Sequence, residues 1–65
     1  MLVRELIETN VNIPYRIIIA HNTHTFKFNK EFYKNYETQA IKDFGLYDVK
    51  QWCWTDDESV LEIWI

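Results

Sequence analysis

Apolar residues recur along this chain in two rhythms, and the change from one to the other predicts its elements. Leu2, Val3, Leu6 and Ile7 share one helical face, while Arg4, Glu5 and Glu8 take the other with Arg4 and Glu8 four apart. The spacing predicts a short first helix over residues 2–9, with a strand through 3–7 as the alternative. Asn10 tolerates the left-handed conformation that often ends a helix, so the helix is expected to stop there.

Between residues 13 and 29 the period shortens to two, which predicts a hairpin. If Asn22 and Thr23 form the loop, His21 faces His24, Ile19 faces Phe26, Ile17 faces Phe28, Ile18 faces Lys27 and Arg16 faces Asn29. One face is then Ile17, Ile19, Phe26 and Phe28, the other is mostly polar, and a one-residue slip would scramble them. Thr23 is a poor second turn residue, so a four-residue His-Asn-Thr-His loop of the same parity is equally acceptable. Pro14 stands at the strand entrance and suggests an edge position.

From Phe32 the helical period returns. Phe32, Tyr33, Tyr36, Ala40, Ile41 and Phe44 recur at three- and four-residue steps opposite Glu31, Lys34, Asn35, Thr38 and Lys42. This is the expected main helix, best defined over 36–44, with Asn29 as its N-cap and Gly45 as the residue after its end. A second hairpin closes the chain around Asp56-Asp57-Glu58-Ser59. Pairing Thr55 with Val60 sets Trp54 opposite Leu61, Trp52 opposite Ile63 and Lys50 opposite Ile65, which predicts a core face of Trp52, Trp54, Leu61 and Ile63. Val49, Gln51, Cys53, Thr55, Val60, Glu62 and Trp64 fall on the reverse.

The predicted order is α-β-β-α-β-β, an α+β fold in two layers forming a single domain over residues 1–65. Two helices on one face of a four-stranded, mainly antiparallel sheet is the simplest way to bury both sets of apolar residues in one core. The order of the strands cannot be read from the pattern.

Composition narrows the function more than the fold. Seven Lys and Arg against ten Asp and Glu give a net charge of -3, which argues against a general polyanion binder. One Gly precludes a glycine-rich phosphate cradle, and one Ser leaves little room for a Ser-His-Asp hydrolase. No catalytic signature or cofactor motif is present, and the expectation is a protein that is not an enzyme. Cys53 alone cannot staple a small secreted domain, which favours the cytoplasm. The opening segment carries three charges in its first eight residues with no apolar run of signal-peptide length behind them. The longest apolar run, Ile17-Ile18-Ile19-Ala20, is far short of the roughly 20 residues a membrane-spanning helix needs.

Three stretches carry a resemblance: Val3-Arg4-Glu5-Leu6-Ile7-Glu8, then Phe44-Gly45-Leu46-Tyr47-Asp48-Val49, then Trp52 through Asp57 with Val60-Leu61-Glu62-Ile63-Trp64-Ile65. In apolar spacing they resemble small uncharacterised proteins encoded by phages and conjugative elements of low-GC Gram-positive bacteria. The resemblance implies an accessory protein that binds a host or phage protein, in some cases inhibiting a defence system. It carries over no functional residue.

Four groups of residues remain as candidate chemistry. His21 and His24 could offer two nitrogens to a metal, but a structural site needs four ligands and the register keeps Cys53 away, so solvated turn histidines are expected and no metal. Cys53 faces Glu62, whose charge disfavours the thiolate a nucleophile requires. Lys27, Lys30 and Lys34 interleave with Phe26, Phe28, Phe32 and Tyr33 as in a single-strand nucleic-acid platform, although Phe26 and Phe28 are also wanted by the core. The last third is acidic, and Asp56, Asp57 and Glu58 lie at one turn; they could guide a partner or simply keep the chain in solution. Trp64, with Val60 and Glu62, is predicted on a sheet face that the rest of this short chain cannot cover, although its ring could instead lie over neighbouring aliphatic stems. Exposed aromatics of this kind are enriched where partners dock. The leading expectation is therefore a protein-interaction module that binds an unknown partner or a second copy through Val60, Glu62, Trp64 and the Asp56, Asp57 and Glu58 turn. A single-strand nucleic-acid binder using Lys27, Lys30 and Lys34 is the alternative.

Overall fold

A computed structural model describes residues 1–10, 13–56 and 59–65 of the chain. The elements follow in the order α1 (Val3–Thr9), β1 (Arg16–His21), β2 (His24–Asn29), α2 (Tyr36–Phe44), β3 (Gln51–Thr55) and β4 (Val60–Trp64). The four strands form one mixed sheet in the order β2-β1-β4-β3. Each hairpin is antiparallel, and the two are joined by parallel pairing of β1 with β4.

Both hairpin registers agree with the alternation of apolar residues. In the first, Ile17 pairs with Phe28, Ile19 with Phe26 and His21 with His24, around a two-residue turn in which Asn22 takes a positive φ of 58°. In the second, Trp52 pairs with Ile63, Trp54 with Leu61 and Thr55 with Val60. The ladder stops before Ile65: the Lys50 N–H donates to the Trp64 carbonyl at 2.8 Å, and the Ile65 N–H to the Ala20 carbonyl at 2.9 Å. The parallel register sets Ile17 beside Leu61 and Ile19 beside Ile63, so Phe28, Ile17, Leu61 and Trp54 form one row across the sheet. Val3, Leu6 and Ile7 of α1 and Tyr36 and Ala40 of α2 join Ile17, Ile19, Phe28, Leu61, Ile63 and Ile65 in a single buried cluster.

Several expected details are corrected. Pro14 does not mark an edge, because β1 lies between β2 and β4; the proline comes before the first paired residue and removes no ladder hydrogen bond. The main helix begins at Tyr36 and not near Phe32, and Asn29 caps a different structure. The Asn29 side chain is 1% exposed, and its Oδ1 accepts the Glu31 N–H at 3.1 Å and the Phe32 N–H at 3.2 Å. It thus holds the turn by which the chain leaves β2. Asn10 follows α1 in an extended conformation, with φ -78° and ψ 132°, so no left-handed residue ends that helix. Trp52 is 42% exposed although its parity is that of the core, because β3 is a sheet edge and gives it a neighbour on one side only.

Candidate interaction surface

Alternate residues of the four strands build the sheet face opposite the core row. Reading across β2, β1, β4 and β3, its central row is Lys27, Ile18, Glu62 and Cys53. The row on one side is Thr25, Ala20, Trp64 and Gln51; on the other it is Asn29, Arg16, Val60 and Thr55. Val60, Glu62 and Trp64 are therefore brought together as every second residue of β4, as the alternation predicts. Among the described residues none of this face joins the buried cluster, Val60 included, although Val60 is itself buried.

Burial across the face does not follow strand position alone: in the end row Asn29 on an edge strand and Val60 on an interior one are both buried, and Cys53 and Thr55 on the edge strand β3 are half-buried. Ile18, Ala20, Glu62 and Trp64 lie on the two interior strands and are half-buried, each shielded by neighbours on both sides. Thr25, Lys27 and Gln51, on the edge strands, are exposed. Trp64 is thus less open than an isolated surface tryptophan, and its ring keeps part of its area in solvent. Lys27 and Glu62 stand two strands apart with Ile18 between, about 10 Å at the usual strand spacing, which is too far for direct pairing. At the Arg16 row the guanidinium carbon lies 5.8 Å from the centre of the Tyr15 ring, and the buried Nε has no hydrogen-bond partner.

Asp56 is exposed in the turn after Thr55 with a φ of 52°, and the Ser59 N–H and hydroxyl both donate to its carbonyl. It adjoins the Val60 end of β4, about 13 Å from Trp64 at the rise of a strand. Asp57 and Glu58 lie outside the described residues.

The other candidates separate in space. Lys27 belongs to the sheet face, whereas Lys30 and Lys34 belong to the turn leading to α2, so the three lysines do not form one stripe. Phe32, between those two lysines, is 68% exposed. Phe26 and Phe28 turn the other way and meet Phe44 of α2, with ring centres 4.8 and 6.1 Å from it. His21 and His24 pair across the first turn, and their rings approach Tyr47 at 5.2 Å and Phe26 at 6.3 Å. No group of three or more His, Cys, Asp or Glu side chains that could hold a metal occurs among the described residues. Cys53 is a half-buried free thiol opposite Glu62. A depression of about 140 Å³ is lined by Lys34, Asn35, Tyr36, Glu37 and Thr38 at the start of α2. It is smaller than the about 300–1,000 Å³ of most small-molecule sites. No helix among the described residues is long and apolar enough to cross a membrane.

The pattern did not reveal that Ile18, Ala20, Thr25 and Lys27 share a face with Trp64, because that depends on the parallel pairing of β1 with β4. A signal for it was present in Ile17-Ile18-Ile19-Ala20, since an apolar run without alternation is typical of an interior strand in parallel pairing. Two helices and a four-stranded mixed sheet define a small α+β protein. No protein-family model matches the chain, and no curated protein or solved structure is similar to it.

Proposed function

We propose that this chain is a non-enzymatic protein-interaction module, of the kind that phages and conjugative elements of low-GC Gram-positive bacteria encode. It acts in the cytoplasm by binding a protein through the sheet face of Glu62 and Trp64; Val60, expected there as a contact, is buried and supports the face from its end row. In this reading both helices cover the opposite face, in keeping with the one buried cluster that unites α1 and α2 with Ile17, Ile19, Leu61 and Ile63. The observation that carries the proposal is Trp64, a half-buried tryptophan on an interior strand, beside Ala20 and diagonal to Ile18 on a face that contributes nothing to that cluster. Tryptophans so placed are frequent anchors of protein interfaces. Asp56, with Asp57 and Glu58 next to it in sequence, supplies negative charge at the rim, where charge sets orientation and association rate. Affinity capture from a host lysate tests the proposal. The wild-type chain is expected to retain a discrete protein that Trp64→Ser loses, and undiminished capture by Trp64→Ser would contradict it.

A second reading is favoured by the exposure of Phe32 between Lys30 and Lys34, an aromatic flanked by cations as in single-strand nucleic-acid binders. Its mark would be oligonucleotide binding that weakens steeply with salt. The absence of binding at low salt would remove it.

A further inference from the structure

We infer that the occupant of this sheet face is a second copy of the chain, related by a two-fold axis that runs along the strands above Ile18. The inference rests on the reading of this face as a docking surface and names its partner. The strand order carries the argument. β1 has β2 on one side and β4 on the other at equal spacing, so an axis above β1 exchanges the β2 and β4 positions of the two facing sheets. Ile18 then meets Ile18 of the second copy, and Lys27 meets the second copy's Glu62, twice by symmetry. Neither Lys27 nor Glu62 has an ion-pair partner among the described residues of its own chain. The central row of the face is thus complementary to itself in charge.

It is complementary in shape as well. In the next row the same axis lays Trp64 over the second copy's Thr25, so the largest side chain of the face meets a small one, and brings Ala20 against Ala20. Arg16 would face its own copy at one end, but its guanidinium lies against Tyr15. The sheet presents on the order of 300 Å² in projection, which places the contact among small, reversible interfaces. The two Cys53 thiols end about 19 Å apart, so the dimer owes nothing to a disulfide.

Sedimentation equilibrium on the full chain over a concentration series in reducing buffer tests this. Wild type is expected to dimerise reversibly. Lys27→Glu and Glu62→Lys, each alone, set like charges against one another and are expected to weaken the dimer at least about tenfold. The double variant Lys27→Glu with Glu62→Lys restores opposite charges and is expected to return to within about threefold of wild type. Circular dichroism and thermal melting check that each variant stays folded, and neither Lys27 nor Glu62 belongs to the buried cluster. A wild type that stays monomeric up to roughly 1 mM, or a dimer lost on reduction, overturns the inference. So does a dimer that ignores the single reversals or is not rescued by the double one. A monomeric wild type that captures a host protein through Trp64 overturns the self-association alone and leaves the docking surface standing. A monomer without Trp64-dependent capture ends both.

Discussion

Tyr36 carries a hydroxyl into the core, and that one oxygen ties the start of α2 to the segment before β1. The residue is buried, and its hydroxyl donates to the Pro14 carbonyl. Burial is the first cause that raises its pKa above the usual tyrosine value, with the Glu37 carboxylate adding to it. Tyr15 is raised too, in its case first by the hydrogen bond its hydroxyl donates to Glu31 at 2.7 Å. A raised value means that the folded chain keeps a proton the unfolded chain releases. The associated stability is therefore complete below about pH 10 and is lost as pH rises through the folded-state value. Tyr36→Phe is expected to cost about 1–2 kcal/mol at neutral pH, because the Pro14 carbonyl loses its donor. It is also expected to make the alkaline loss of stability shallower without abolishing it, since Tyr15 remains. Urea titrations at neutral and alkaline pH check both, and an unchanged alkaline slope would contradict the role given to burial. None of this was legible in the sequence, where Tyr36 reads only as one more apolar position on a helix.

The two helices are joined end to start by backbone hydrogen bonds that no apolar spacing could announce. The first N–H groups of α1 have no partners within the helix, and here the Val3 and Arg4 N–H groups donate to the Tyr47 and Gly45 carbonyls at 2.9 and 3.0 Å. The Glu5 carboxylate accepts the Leu2 N–H at 2.8 Å and completes the cap. Gly45 lies at the centre of this junction, with its own N–H donating to the Ile41 carbonyl at 2.7 Å. The sequence marks it as a helix end, and helix ends commonly use glycine for a positive φ. Its φ is instead -58°, so the requirement is for space: a Cβ there would press on the Ile41 carbonyl oxygen. Gly45→Ala is therefore expected to destabilise by about 1–3 kcal/mol through overpacking, where helix propensity alone would predict a gain of about 1 kcal/mol. Chemical denaturation decides the sign. Periodicity located both helices because their faces are long enough to repeat. It misplaced the start of α2 because 30–35 keeps apolar residues at helical spacing while Asn29 commits the backbone to a turn.

At the scale of the molecule, each hairpin is local in sequence, and both registers follow from turn position and alternation. What assembles them is the β1 and β4 ladder, which pairs Arg16 with Val60 and Ala20 with Trp64 across more than half the chain. Residues so far apart leave no mutual imprint on local pattern, so the strand order was not legible, and the double-sided apolar run of β1 was its only trace. The order redistributes burial. β4 moves to the interior and β3 to the rim, so Leu61 is fully buried while Trp52, on the other strand of the hairpin, remains 42% exposed. From residue size alone, Trp52→Ala would be expected to do the greater damage. Position reverses that ranking. Leu61→Ala is expected to cost about 2–5 kcal/mol, enough to leave a domain of this size largely unfolded. Trp52→Ala removes a ring only partly withdrawn from water and is expected to cost roughly half of the about 3–5 kcal/mol of a buried tryptophan. Melting of the two variants side by side checks the order of the strands itself. A Trp52→Ala chain less stable than Leu61→Ala would place β3, and not β4, inside the sheet.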